Sequence, residues 1–151
     1  MPISTDITKE VEALIAIETS NVANMANISA HLKDKGGWHW VGFYIVEEES
    51  EELVLGPFQG PIACTRLKKG KGVCAKSWID NATVVAPNVH DFEGHVACSS
   101  LSNSELVIPV RSKGKVVAVI DIDSVEYDDF STEQIRILEE VVFKLEERWV
   151  D

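Results

Sequence analysis

The chain has 151 residues, 45% of them hydrophobic and 26% charged, which are the proportions of one globular domain and exclude a disordered chain. Its 25 acidic and 14 basic residues give a formal net charge of −11, which argues against nucleic acid or an anionic membrane surface as a partner. No apolar run approaches the roughly 20 residues of a membrane span, and the N-terminus lacks the pattern of a secretion signal. We therefore expect a single domain over residues 1–151, located in the cytoplasm.

Two amphipathic segments near the N-terminus predict helices. In residues 6–17 the apolar positions recur at steps of three and four, and a weaker version of the same spacing runs over residues 21–32. The residues that follow, Lys35, Gly36 and Gly37, are typical of the end of a helix.

A hairpin is predicted next. Residues 38–46 (WHWVGFYIV) are rich in aromatic and β-branched side chains, and an acidic turn separates them from residues 52–60 (ELVLGPFQG). Residues 61–72 carry Pro, Lys and Gly and predict a loop. A short helix over 73–79 and a short strand over 82–86 follow.

The second half of the chain contains a long polar loop, a second hairpin and a helix. The loop covers residues 88–103, and the hairpin joins strands at 104–110 and 115–123 across the turn residues Ser112, Lys113 and Gly114. Residues 131–149 form the clearest amphipathic pattern of the chain and predict the last helix.

This order of elements indicates an α+β domain, because helices gather at both ends of an antiparallel run of strands. We expect a central, mainly antiparallel β-sheet with the N- and C-terminal helices packed on one face. A doubly wound parallel sheet would require strands and helices to alternate, and they do not.

The cysteines restrict the chemistry. Cys64, Cys74 and Cys98 are too few, and odd in number, for a secreted disulfide framework. In a reducing cytosol a disulfide among them would be transient and redox-active more often than structural. Zinc sites bring ligands in close pairs such as C-x2-C, and no such pair occurs here. Because coordination by cysteine with His90 and His95 is not favoured by the spacing, we expect no metal.

Several local strings resemble a GAF domain and, within that superfamily, the free methionine-(R)-sulfoxide reductases. They cover most of residues 38–124 and read WVGFY (40–44), GPFQGPIACTRL (56–67), GKGVC (70–74), HVAC (95–98), SNSELVIPV (102–110) and VIDIDS (119–124). One departure is Ser99, where the family commonly has Asp. The resemblance implies a GAF-like α+β fold, and reduction of free L-methionine-(R)-sulfoxide by thiols without a metal or organic cofactor. It also implies thioredoxin or a similar dithiol as reductant, and a homodimer.

Thiol reduction of a sulfoxide needs an attacking thiolate, a proton for the departing oxygen and a second thiol that resolves the sulfenic acid. The resemblance implies that Cys98 is the nucleophile, Cys64 the main resolving cysteine and Cys74 a secondary partner. From the residues alone, Cys98 would be a small buried hydrophobic residue, and Cys74 could equally be a core residue. A Cys64–Cys98 bridge would close a loop of about 34 residues, worth on the order of 4 kcal/mol in chain entropy.

Basic residues surround two of these cysteines in sequence. Positive charge lowers the pKa of a thiol, so we expect this cluster to stabilise a thiolate at Cys64 or Cys74. The cluster consists of Arg66, Lys68, Lys69 and Lys71.

Three acids are candidates for the substrate site. Strand alternation places Asp121 and Asp123 on one face, with Ile120 and Ile122 on the other, and Glu105 belongs to the neighbouring strand. Carboxylates so close raise the pKa of at least one of them, so that it could donate a proton near neutral pH. The resemblance assigns all three acids to the substrate, whereas the residues alone also allow a solvated strand face.

Trp40 and Tyr44 are candidates for an aromatic wall against the S-methyl group, because sulfur packs favourably beside aromatic rings. Taken one at a time, either ring could belong to the core. For His90 and His95 we expect a role in ordering the loop. The alternative to an enzyme is a non-catalytic GAF module that binds a small ligand, or a thiol redox sensor that uses the same cysteines.

Overall fold

The structure of the protein, a computed structural model, describes residues 3–96, 98 and 101–151. Ser99, the one noted departure from the family pattern, lies outside the described residues. The helices are α1 (Asp6–Leu14), α2 (Asn21–Gly36), α3 (Gly72–Asp80) and α4 (Thr132–Arg148). The strands are β1 (Trp40–Glu47), β2 (Glu52–Gln59), β3 (Arg66–Lys68), β4 (Val84–Ala86), β5 (Ser104–Ser112) and β6 (Lys115–Ser124). A single 3-10 turn, Val89–Asp91, lies in the segment between β4 and β5.

The six strands form one sheet in the order β3-β2-β1-β6-β5-β4. Every neighbouring pair is antiparallel, which confirms the predicted α+β class and sheet type. The two hairpins stand side by side because β1 pairs with β6, with Trp40 opposite Asp123 and Ile45 opposite Ala118. Strands that lie far apart in sequence therefore meet at the centre of the sheet.

The turn between β5 and β6 is the one that the sequence indicated. Lys113 and Gly114 both have positive φ, at 54° and 78°. Two consecutive residues with positive φ match the twist of antiparallel strands in a tight hairpin, and glycine adopts that conformation at no steric cost. The register beyond the turn pairs Glu105 with Asp123 and Ile108 with Ile120.

One face of the sheet carries the main core. Alternate residues of β1, β5 and β6, among them Phe43, Leu106 and Ile120, pack against apolar side chains of α1, α2 and α4. This arrangement confirms that the N- and C-terminal helices cover one face. The short helix α3 lies on the other face, where Val73 and Cys74 join a smaller apolar cluster with Val107 and Val119.

The structure corrects the predicted loop over residues 61–72 and the predicted ends of the first two helices. Residues 61–72 were expected to be a loop, yet they contain β3, in which Leu67 pairs with Leu53 of β2. A strand of three residues between basic side chains is too short to show alternation, so only its pairing reveals it. The first helix ends at Leu14 rather than residue 17, and the second continues to Gly36, where Gly37 in the left-handed region ends it.

A serine caps the N-terminus of each of the two long helices, α2 and α4. The Oγ of Ser20 accepts a hydrogen bond from the backbone N–H of Ala23 at 3.1 Å, and the Oγ of Ser131 accepts one from Gln134 at 3.2 Å. Each satisfies an N–H group that has no partner within its helix. No helix in the described part of the chain is both long and apolar enough to cross a membrane.

Replacement of Ile120 by Ala should strongly destabilise the fold. Ile120 is 1% exposed at the centre of the main core, and removing a buried isoleucine side chain leaves a cavity that costs about 2–5 kcal/mol of unfolding free energy. Urea unfolding followed by circular dichroism measures the loss. Ile79→Ala is the matched control, because Ile79 is 49% exposed on α3 and its replacement should change the unfolding free energy by less than about 1 kcal/mol. Equal losses for the two variants would contradict this assignment of the core.

Candidate active site

A pocket opens on the face of the sheet that carries α3. It encloses about 570 Å³ of empty space, part of it open to solvent, between the sheet, the first turn of α3 and the two segments that carry Cys64 and Cys98. The pocket is lined by seven of the eight residues predicted from the sequence: Trp40, Tyr44, Cys74, Cys98, Glu105, Asp121 and Asp123. The eighth, Cys64, is covalently bonded to Cys98 at its edge.

Cys64 and Cys98 form a disulfide, with Cα atoms 5.4 Å apart and 34 positions between them in sequence. The hydroxyl of Tyr44 donates a hydrogen bond to the backbone carbonyl of Cys64 at 2.8 Å. Because Tyr44 belongs to the rigid strand β1, this bond fixes the position of the Cys64 segment beside the pocket. Both half-cystines are partly buried.

The three acids form one cluster. Glu105 and Asp121 are only 7% and 6% exposed, and Asp123, opposite Glu105 across the β5–β6 pair, is half-buried. Ile120 and Ile122 point to the main core instead, as the alternation predicted. Burial raises the pKa of each carboxyl group, and repulsion within the cluster raises it further. Such groups can hold a proton at pH values where an exposed carboxyl is ionised.

Cys74 is the free cysteine of the described residues and belongs to this cluster rather than to the disulfide. It is the third residue of α3, and its Sγ lies 3.9 Å from Oε2 of Glu105. Burial raises the pKa of the Cys74 thiol, and the negative charges of Asp121 and Glu105 raise it further. The position of Cys74 therefore favours a protonated thiol.

The basic cluster does not act on Cys74 as expected, and that prediction is wrong for this residue. Arg66 pairs on the surface with Glu47 at 2.9 Å and with Glu52 at 3.1 Å. Lys69 lies over the ring of Trp78, with its Nζ 5.2 Å from the ring centre. Sequence proximity to lysine and arginine was misleading because burial and the carboxylates that the sheet brings to the thiol raise its pKa.

Aromatic rings form one wall of the pocket. The ring of Trp40 stacks on Tyr44 at 6.0 Å and on Phe58 at 5.2 Å between centres, and its Nε1 donates to the carbonyl of Pro61 at 3.1 Å. Gly42 makes this packing possible, because a Cβ there would lie 2.3 Å from the Cβ of Phe58. Both predicted aromatic residues therefore face the pocket, as four-residue spacing on a strand implied.

Among the further residues that line the pocket, three have polar side chains and were not predicted as substrate contacts: Lys71, His95 and Ser102. The Nε2 of His95 lies 4.0 Å from Oε1 of Glu105, and burial together with the charge of His90 lowers the pKa of His95. Ser102 is 5% exposed, and its Oγ has no hydrogen-bond partner among the described residues. In the sequence these residues lie inside the strings GKGVC, HVAC and SNSELVIPV, where Lys71 was assigned to the basic cluster and His95 to the ordering of the loop.

Three side chains of the pocket could also share a metal ion. Ligand atoms of Cys74, Glu105 and Asp121 all lie within 4.8 Å of one another. The expectation of no metal rested on spacing along the chain, and this group is assembled from a helix and two strands, so spacing could not have indicated it.

Comparison with known proteins shows which proteins and structures this chain is similar to. The family model of the GAF domain matches residues 25–145. The "Free methionine-R-sulfoxide reductase" of Escherichia coli is 42% identical over 142 residues, which are 93% of this chain and 85% of that protein. "GAF domain-containing protein A" of Dictyostelium discoideum is 49% identical over 80% of this chain and 76% of its own length. The free methionine-R-sulfoxide reductase of Neisseria meningitidis, solved with its substrate, superimposes with a TM-score of 0.93 at 46% identity, covering 95% of this chain and 86% of that one.

The buried acids should make stability depend on pH. Because the pKa of Asp121 is raised in the folded protein, its stabilising contribution is complete below the ordinary carboxyl pKa and is lost as the pH rises through the raised value. The free energy of unfolding should therefore fall as the pH rises above the ordinary carboxyl pKa, and Asp121→Asn, which cannot ionise, should reduce that fall. Urea unfolding with the disulfide intact measures it.

The matched control for this measurement is Asp91→Asn, because Asp91 is an exposed aspartate outside the pocket. Its variant should keep the pH dependence of the wild type. If the unfolding free energy of Asp121→Asn falls with pH as much as that of the wild type, the raised pKa of Asp121 is contradicted.

Proposed function

The chain belongs to the GAF-domain family of free methionine-(R)-sulfoxide reductases, and we propose that it reduces free L-methionine-(R)-sulfoxide to L-methionine in the pocket described above. The observation that carries the proposal is the disulfide between Cys64 and Cys98, which lies at the edge of a pocket that contains buried carboxyl groups. Such a pocket combines the two things that the reaction needs, a pair of thiols and a proton source.

In the first step, the thiolate of Cys98 attacks the sulfur of the sulfoxide. An acid of the cluster delivers a proton to the sulfoxide oxygen, and this oxygen passes as a hydroxyl group to the sulfur of Cys98 while its bond to the substrate sulfur and the sulfur–sulfur bond formed in the attack both break, so that Cys98 becomes a sulfenic acid. Two electrons pass from the sulfur of Cys98 to the sulfur of the substrate, and methionine is released. We assign the proton to Glu105, because it is buried, has a raised pKa and contacts a second proton-bearing group, Cys74.

In the second step, the thiol of Cys64 attacks the sulfenic sulfur of Cys98, water leaves and the disulfide forms. A dithiol then reopens the disulfide by two exchange steps and is itself oxidised. The direct Cys64–Cys98 bond supports Cys64 as the main resolving cysteine. Cys74, held beside Glu105 and away from the bridge, remains the secondary partner.

Two groups of residues would select the substrate. We propose that Asp121 and Asp123 hold the α-ammonium group, since both carboxylates face the pocket and Oδ1 of Asp121 has no hydrogen-bond partner in the described structure. Trp40 and Tyr44 would contact the S-methyl group. A methionine sulfoxide inside a peptide lacks the free ammonium group, so the pocket favours the free amino acid.

The reductant that we propose is thioredoxin or a similar dithiol. A disulfide that must reopen in every cycle requires a compartment in which dithiols are kept reduced, which supports a cytosolic location. Neither the disulfide nor the acids need a metal or an organic cofactor for this chemistry.

We also propose that the chain forms a homodimer through its terminal helices. Leu14, Ile17, Phe143 and Val150 are 41%, 94%, 56% and 51% exposed, respectively, at or next to α1 and α4. Burial of these apolar side chains against a partner would remove them from water and so favour association. A second copy of the chain as the partner agrees with the homodimer that the resemblance to the family implies. Sedimentation equilibrium, which measures the mass of the assembly in solution, tests this proposal.

A thiol redox sensor is the second candidate, because a reversible Cys64–Cys98 bridge would serve it equally well. The two candidates differ in their products. A sensor forms the disulfide with a general oxidant and releases no methionine, whereas the reductase releases one methionine for each disulfide formed.

The cysteine variants should separate the steps of the reaction. With the R epimer and a dithiol, Cys98→Ser should lower turnover at least about 1,000-fold, because the nucleophile is lost. With thioredoxin as the reductant, Cys64→Ser should release about one methionine per chain and then stop, because Cys98 cannot be returned through a disulfide. Separation of methionine from its sulfoxide by chromatography gives the rates.

The controls for this experiment are the S epimer and a count of thiols. The S epimer should not react, and the wild-type protein should keep one free thiol, that of Cys74, after a single turnover without reductant. Turnover by Cys98→Ser, or a single turnover that leaves Cys64 reduced, would overturn the assignment.

Glu105→Gln should lower kcat roughly 100-fold or more, because it keeps the size of the side chain and removes its acidic proton. The KM for the sulfoxide should change much less. Steady-state rates on the R epimer measure both quantities, and Glu49→Gln, on the exposed β1–β2 turn, is the matched control. An unchanged kcat for Glu105→Gln would assign the proton to another group.

A further inference from the structure

A thiol and two carboxyl groups meet inside the protein in the arrangement of metal ligands. Cys74 belongs to α3, Glu105 to β5 and Asp121 to β6, and one ligand atom of each lies within 4.8 Å of the other two. The Sγ of Cys74 and Oε2 of Glu105 are 3.9 Å apart. Neighbouring ligands of a tetrahedral zinc ion, with bonds of about 2.0–2.3 Å, lie roughly 3.3–3.8 Å apart. Small side-chain movements therefore suffice to bring the three atoms onto one ion.

Two buried oxygen atoms show that the polar groups of this region are not satisfied by the protein. Asp121 is only 6% exposed, and its Oδ1 has no hydrogen-bond partner among the described residues. The same holds for the Oγ of Ser102, which is 5% exposed and lines the same pocket. A buried oxygen atom without a partner is unfavourable, and a bound ion with its coordinated water removes that penalty.

The kinds of ligand atom select the class of ion. Thiolate sulfur is a soft ligand that favours Zn²⁺ and similar ions, whereas Mg²⁺ and Ca²⁺ prefer sites made of oxygen atoms. A nitrogen ligand is also near, because Nε2 of His95 lies 4.0 Å from Oε1 of Glu105. Sulfur, oxygen and nitrogen are together the ligand atoms of zinc in proteins.

We propose that Cys74, Glu105 and Asp121, with His95 as a fourth ligand, form a binding site for a thiophilic divalent cation of the Zn²⁺ class, which inhibits the protein reversibly. Binding replaces the protons of the thiol and the carboxyl groups, and these protons pass to the solvent. The ion is no part of the reaction, since it occupies the groups that the proposed function gives to the substrate and to the transferred proton. The metal site goes beyond that function, and only the inhibition rests on it.

The disulfide form of the whole protein provides the test. The sequence contains three cysteines, so the Cys64–Cys98 bridge leaves Cys74 as the one thiol. Titration of this form with Co²⁺ should produce the charge-transfer absorption of a cobalt–thiolate bond. Addition of Zn²⁺ should abolish the absorption, because zinc binds such sites more tightly than cobalt, whereas Mg²⁺ should leave it unchanged.

Variants identify the ligands. Cys74→Ser should lose the cobalt–thiolate absorption and should weaken the binding of Zn²⁺, measured by titration calorimetry, at least about 10-fold. Asp121→Asn should also weaken the binding of Zn²⁺ but should keep the absorption, because the sulfur ligand remains. His31→Gln is the matched control, because His31 pairs with Glu10 at 2.9 Å outside the pocket and its loss should change neither measurement.

Three results would each overturn the metal site. They are a wild-type protein that gives no cobalt–thiolate absorption, absorption that persists in Cys74→Ser, and equal affinities of Cys74→Ser and the wild type for Zn²⁺. Circular dichroism of each variant shows whether a loss of binding comes from unfolding.

Competition separates the metal site from the proposed function. Methionine-(R)-sulfoxide should raise the apparent Kd of the disulfide form for Zn²⁺, since both ligands require the same carboxyl groups. If the sulfoxide does not compete although the reduced protein converts it to methionine, the inhibition is overturned. If the reduced protein makes no methionine, the proposed function fails, and the cobalt–thiolate absorption with its loss in Cys74→Ser still supports the metal site.

Discussion

The register between β5 and β6 determines where every acid of the pocket lies. Glu105 stands opposite Asp123, and Asp121 stands two positions along the same face. A slip of one residue would turn these carboxylates into the main core and expose Ile120 and Ile122 in their place. The apolar packing of those isoleucines against the helices therefore holds the acids on the other face, where they line the pocket. Stability of the core and placement of the reacting groups depend on the same pairing.

Three carboxyl groups placed together in a poorly hydrated site lower the stability of the fold. Protonation of the carboxyl groups limits this loss. Burial and mutual repulsion raise the pKa of all three carboxyl groups, so the cluster holds protons instead of carrying three full charges. The Cys74 thiol beside Glu105 is subject to the same effect. A proton source at pH values where an exposed carboxyl is ionised thus follows directly from placing carboxyl groups where water is scarce, and a cationic substrate group would compensate what charge remains.

The small helix α3 and the two segments that carry Cys64 and Cys98 form the rest of the pocket beside the sheet. Tyr44, on β1, ties the Cys64 segment to the sheet through its hydrogen bond to the backbone carbonyl. The disulfide then joins that segment to the one that carries Cys98, so the pocket edge is assembled from regions 34 positions apart. The helix α3 contributes the Cys74 thiol and an N-terminus without a side-chain cap. Rigid strands thus carry the acids and aromatic rings, and the connecting segments carry the two sulfurs of the disulfide.

The sequence by itself determined the elements and one face of the site. Periodicity indicated the two N-terminal helices and the C-terminal helix, and the alternation of Asp121 and Asp123 with isoleucines indicated which side chains share a face, because both signals are local. The roles proposed for the cysteines came from resemblance, and periodicity alone would have left Cys98 as a small core residue. Tertiary structure decided what depends on contacts between distant segments. It revealed β3 by its pairing with β2, reversed the expected effect on the pKa of Cys74, and buried the Ser102 hydroxyl in the pocket with no partner among the described residues. Each of these depends on which groups lie within a few ångströms in space, and neighbours in sequence do not determine that distance.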